Sequence, residues 1–198
     1  MTNRREFLQA AAIAGLPALA GASASAGIAM PGRNADLRTI LIDERHAEAR
    51  SVGCYLASAG ATVHTLPDGD ITQLWLSTIG PAWRQHPAAV AGLTARPALF
   101  CLEQLALTSG LRVVYHAEHI VHADGHVGHF LLRGAEAAQL SARDLTRAGP
   151  LWPGRIAEAI ATHRHRAGTV RPGRSDAALE PTLPRDAQLL TSWIIAAV

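Results

Sequence analysis

Between residues 37 and 116 the chain alternates short apolar runs with amphipathic stretches, and this alternation constrains the fold more than any other feature. Residues 37–43 (LRTILID) form an apolar run ending in an acid and read as a buried strand. Val52, Tyr55, Leu56 and Ala59 follow at helical spacing, and Gly60 is a stop. Residues 61–66 (ATVHTL) read as a second strand and Pro67-Asp68-Gly69 as a turn. Asp70 can then cap a helix whose buried stripe is Ile71, Leu74, Trp75 and Ile79. Residues 88–94 (AAVAGLT) make a third strand. Thr94 is placed to cap the next helix, which tolerates Pro97 in its first turn and buries Ala98, Cys101, Leu102 and Leu105. Gly110 ends it, and residues 111–116 (LRVVYH) are a fourth strand.

Strands and helices alternating over short links predict a parallel sheet covered by helices on both faces. Right-handed crossovers restrict its order to a flavodoxin-like or Rossmann-like arrangement. Past residue 116 the pattern changes. Residues 117–132 read as an antiparallel hairpin around Asp124-Gly125, residues 151–163 as a helix, and 164–186 as a flexible Arg/Gly/Pro-rich loop. The final run, QLLTSWIIAAV, is expected to dock in the sheet as a last strand. The expectation is a single three-layer α/β domain over 37–198, with a mostly parallel sheet extended by a β-hairpin.

Residues 1–26 read as an address and 27–36 as a linker. Arg4 and Arg5 form a charged head, a moderately apolar stretch follows, and ASASA offers small residues at A-x-A spacing. Asn3-Arg4-Arg5-Glu6-Phe7-Leu8 resembles the twin-arginine (Tat) signal, with Gln9 where that family often has lysine. The resemblance covers only the leader. It implies cleavage, export of a folded protein through the Tat machinery, and a periplasmic or secreted location. No membrane span is expected in the mature chain.

The chain contains no lysine; all 18 basic residues are arginine. Pyridoxal-phosphate Schiff bases, P-loop phosphate binding and lysine general bases each need the missing amine and are excluded. Without its first 26 residues the chain holds 16 arginines against 15 acids, a balance that points away from nucleic acid. G-x-G-x-x-G, G-x-S-x-G and H-E-x-x-H are all missing. Cys54 and Cys101 lie on helices expected on opposite faces of the sheet, so no disulfide is expected between them. Cys101 falls on its helix's buried stripe, and Cys54 sits beside its own.

In an open α/β sheet, ligands bind beyond the carboxyl ends of the strands. Those ends carry Asp43, Glu44, Arg45 and His46, then Asp68 and Asp70, then Thr94 and Arg96, then His116. Asp43, Glu44, Thr94, Arg96 and His116 are therefore the ligand-binding candidates. Five of the ten histidines fall between residues 116 and 129. A two-residue turn at Asp124-Gly125 pairs Ile120 with His129 and His122 with Val127. Alternation then puts His116, Glu118, His122 and His129 on one face, and His119 and His126 on the other. Glu118, His122 and His129 could hold Zn²⁺ or Cu²⁺. A solvated His-rich hairpin is the plainer alternative, and no cofactor is required by any motif.

Three functions follow. The chain is expected to be an exported module that binds a small polar ligand or serves an exported partner protein. The alternatives are a small periplasmic hydrolase, lyase or isomerase with a rim site, and a metal-binding protein using the hairpin.

Overall fold

A computed structural model describes residues 37, 39–135, 138–163, 183 and 186–198, which all belong to one unit, Gly32–Val198. The leader, the linker and nearly all of the 164–186 loop lie outside the described residues. Strand β1 is Thr39–Asp43, helix α1 Ala47–Ser58, β2 Thr62–Leu66 and β3 Val90–Ala95. Between β2 and β3, α2 (Thr72–Leu74) runs through a π-helical turn, Trp75–Ile79, into α3 (Gly80–Gln85). Helix α4 is Arg96–Thr108, β4 Leu111–Val121 and β5 Val127–Arg133. Helix α5 (Ala142–Ala148) passes through a 3₁₀ turn into α6 (Trp152–Thr162), and β6 is Gln188–Ala197. No helix among the described residues is long and apolar enough to cross a membrane.

The described strands form one sheet of order β2-β1-β3-β6-β4-β5. Its helices make three layers, as the alternation predicts. One apolar layer joins α1, α5 and α6 to the sheet through Val52, Leu56, Leu145, Ile156 and Ile160. The other joins α2–α3 and α4 through Ile71, Trp83, Leu99, Leu102 and Trp193.

The sheet is not mostly parallel. Only β1–β2 and β1–β3 pair in parallel, whereas β3–β6, β4–β6 and β4–β5 are antiparallel. The cause is β6. Without it the strands before the hairpin would run 2-1-3-4, the order of a flavodoxin-like sheet. Instead the last strand fills the slot between β3 and β4 and runs against both. Leu190 to Ala196 are buried on both faces, which makes β6 a central strand.

Local expectations fare unevenly. Asp70 does accept from the Thr72 N–H, at 2.8 Å. Thr94 is not a cap, since the N-cap of α4 is Ala95. Tyr55 is exposed where Gly53 is buried against Ile42. Helix α4 buries Ala98, Leu99, Leu102 and Ala106, which turns Cys101 outward; Cys54 and Cys101 are both exposed.

Two irregularities in β4 and β5 decide which side chains meet. Val113 pairs with Ile195 but Tyr115 pairs with Ile194, so Val114 is an extra residue in β4. This bulge turns Tyr115, Ala117 and His119 toward α5–α6, and His116 and Glu118 toward α4. The hairpin loop holds three residues, not two. The His122 N–H donates to the His126 carbonyl and the Gly125 N–H to the His122 carbonyl, both at 2.9 Å. Gly125 sits at φ +83°, so the turn is a type I turn closed by a left-handed glycine.

Candidate functional site

The extra loop residue shifts the hairpin register by one. Val121 pairs with Val127, Ile120 with Gly128 and His119 with His129. A one-residue slip exchanges the faces of a strand. His129 therefore joins His119 on the α5–α6 face and not Glu118 on the α4 face. The expected set of Glu118, His122 and His129 does not assemble, because Glu118 and His129 lie on opposite sides of the sheet. The His122 ring lies 5.8 Å from that of His126. Among the described residues no group of three or more His, Cys, Asp or Glu is placed to hold a metal.

What assembles is a hydrogen-bonded chain through the sheet's inner face. The Tyr115 hydroxyl lies 3.2 Å from Ser192 Oγ, and Ser192 Oγ lies 2.8 Å from His119 Nε2. His119 Nδ1 is 2.9 Å from His129 Nδ1. Tyr115, His119 and Ser192 are all buried, and His129 nearly so. The His119 ring also lies on Trp152, at a centroid distance of 4.5 Å.

Ser192 is fully buried, so it links the chain and is not an accessible nucleophile. Burial drives the His119 imidazole well below its usual pKa, and His129 and His116 add repulsion. Burial, with His126 nearby, brings His129 to about 4. The Tyr115 phenol is pushed up to about 12 by burial, against the Ser192 hydrogen bond. At neutral pH every member of the chain is uncharged.

The chain ends at a cavity of about 280 Å³ between the hairpin and the α5–α6 corner. Val121, Val127, Leu145, Pro150 and Trp152 supply most of its apolar wall. Its polar side chains are Glu48, His126, His129 and Thr146. His129 Nε2 has no hydrogen-bond partner among the described residues.

The expected rim residues separate into two groups. Asp43 is fully buried and held by Arg45, whose Nε and Nη2 lie 2.8 and 2.6 Å from its oxygens. Burial pushes the Asp43 carboxyl up, but the Arg45 hydrogen bonds and the nearby His46 outweigh it and leave it below the usual range. Asp43 is therefore spent on its own loop. Among the described residues Glu44 contributes its carbonyl, which accepts from Arg50.

Thr94, Arg96 and His116 do gather on the α4 face. Thr94 Oγ1 accepts from the Trp193 indole N–H at 3.0 Å. Arg96 Nη1 and His116 Nε2 lie 3.6 and 4.0 Å from Glu118 Oε1. Burial brings His116 to about 4, with Arg96 and Arg133 adding repulsion. Thr191 pairs with both Thr94 and Glu118, which makes a buried polar row across β3, β6 and β4. His116 Nε2, Glu118 Oε1 and Thr191 Oγ1 are buried there without a hydrogen-bond partner among the described residues.

Sequence reasoning missed Tyr115, His119, Trp152 and Ser192. One signal was available. Thr191-Ser192 interrupts the apolar run of the last strand, and a polar residue inside a doubly buried strand must find a partner. The pairing itself needs the bulge at Val114 and the hairpin register. No protein-family model matches the chain, and no curated protein or solved structure matches it.

Proposed function

We propose that this chain is an exported small-ligand-binding module whose ligand occupies the cavity between the β4–β5 hairpin and the α5–α6 corner. A cavity of about 280 Å³ is at the small end for a ligand site. Its mixture of apolar wall and a few polar groups is the composition such sites have. The observation that carries the reading is His129, a buried neutral imidazole with Nδ1 engaged by His119 and Nε2 left for a ligand. The leader's resemblance to a Tat signal supports export and a periplasmic or secreted place of action.

The test is a nuclear magnetic resonance titration of the protein with small organic fragments, following the Trp152 indole and the His129 ring. Binding should shift both signals. Val127→Trp, which fills the cavity from the hairpin side, should abolish the shifts while the fold persists. Fragments that shift other residues only, or that bind the filled variant equally well, would sink the reading.

A second reading places an enzymatic site on the opposite face, where three buried polar atoms lack a hydrogen-bond partner among the described residues. There His116 would serve as acid and base for a hydrolase, lyase or isomerase, with Arg96 holding an acidic substrate group.

A further inference from the structure

The hydrogen-bonded chain behind the cavity has a direction, and that direction selects the ligand's chemistry. Its inner end is the Tyr115 hydroxyl, buried to 1% exposure, whose sole hydrogen-bond partner among the described residues is Ser192 Oγ. Two arrangements of protons are conceivable. In the first, Tyr115 O–H donates to Ser192, Ser192 O–H donates to His119 Nε2, and His119 Nδ1–H donates to His129 Nδ1. The His129 hydrogen then sits on Nε2, and every donor inside the chain is used. In the second, all bonds reverse and the Tyr115 hydrogen is left without an acceptor, away from water. An unsatisfied buried donor disfavours that arrangement by roughly ten- to hundredfold in population. Neither imidazole is protonated near neutral pH, because burial depresses both. So His129 faces the cavity as a neutral N–H donor.

The rest of the wall completes the specification. Among the described residues, Glu48 is the only acid lining the cavity, and no arginine lines it. A carboxylate ligand would satisfy His129 but meet the Glu48 charge. A simple cation would suit Glu48 and be rejected by the His129 N–H. An uncharged group carrying both an acceptor and a donor suits both. The geometry points to a site for small neutral carboxamides, with the carbonyl oxygen accepting from His129 Nε2–H, the amide N–H donating to Glu48, and a compact apolar body against Trp152. This rests on the cavity being the ligand site proposed above, and it adds the class of ligand and the device that selects it. Ser192 and Tyr115 act as positioning residues, since their buried hydroxyls fix the direction of the chain without touching the ligand.

The test uses the full chain, three probes and one variant. Nitrogen-15 spectra of the unmodified protein should show His129 protonated at Nε2 and bare at Nδ1; the opposite tautomer overturns the inference outright. Benzamide should bind at least about tenfold more tightly than benzoate or toluene, the factor that one well-made hydrogen bond supplies. Ser192→Ala removes the hydroxyl that donates to His119 Nε2 and so the link that fixes the direction. It should give a mixture of His129 tautomers and weaken benzamide several-fold while leaving toluene binding unchanged. If toluene binds as well as benzamide, the cavity remains a ligand site but the carboxamide assignment falls. If none of the three binds, both fall. If Ser192→Ala changes neither the tautomer nor the benzamide affinity, the directional argument is wrong.

Discussion

Lowering the pH from 7.5 to 5 should destabilise the fold through imidazoles that it keeps neutral. Burial brings both His116 and His129 from 6.5 to about 4. The unfolded chain gains protons near pH 6.5, and the folded chain does not until about pH 4. Between those values the unfolded state holds more protons, so stability falls as the pH drops. For one such imidazole the loss between pH 7.5 and 5 is about 2 kcal/mol, so the two together cost roughly 4 kcal/mol. His119, shifted in the same direction, adds to this. Domains have about 5–15 kcal/mol of stability in total, so the effect is large. Asp43 works in a lower window. Its depressed carboxyl contributes stability above 3.8 that is lost only as the pH falls further. Urea unfolding followed by tryptophan fluorescence provides the assay. With a slope of about 2 kcal/mol per molar urea, the midpoint should fall by roughly 2 M between pH 7.5 and 5. His129→Phe should make the midpoint's pH dependence shallower. A midpoint that stays put across this range would refute the claim that the fold holds these imidazoles buried and neutral.

Other consequences can be measured directly. A Cβ at Gly92 would lie 2.5 Å from the Leu41 carbonyl and 2.7 Å from the Trp193 ring, so Gly92→Ala should cost about 1–3 kcal/mol in a urea titration. Trp193→Phe removes the hydrogen bond to Thr94 and leaves a void in a fully buried site; calorimetry should show a loss of about 2–4 kcal/mol. Cys54 and Cys101 are both exposed, so a thiol reagent should label two sites in the native protein as fast as in an unfolded control. One protected thiol would contradict the placement of its helix. Replacing Arg4 and Arg5 with lysines should strand the protein inside a bacterial host, as read by cell fractionation. Undiminished export of that variant would remove the twin-arginine reading.

The rim was legible in the sequence only as a set of positions. Thr94, Arg96 and His116 sit at the ends of β3 and near the middle of β4, where the topology brings them around Glu118. Asp43 was an equally reasonable candidate, yet Arg45 two residues later claims both its oxygens. Nothing in the local pattern distinguishes a carboxylate held by its own loop from one left for a ligand. The histidine run shows the same limit. Its composition drew attention to residues that do cluster, but a turn of three residues in place of two moved His129 to the other face and gave it a new partner.

The sequence by itself determined the layers. Apolar periodicity, glycine stops and short links require helices on both faces of a sheet, because each element must bury its own apolar face. The same local chemistry placed most of the element boundaries, and the missing lysine excluded whole classes of mechanism. Only the tertiary structure decided the sheet's order and the meeting of His119, His129, Ser192 and Tyr115. Strand insertion, a bulge at Val114 and a hairpin register are settled by competition between whole packings. A single residue gained or lost there reverses which face a side chain occupies, and with it the chemistry that can take place.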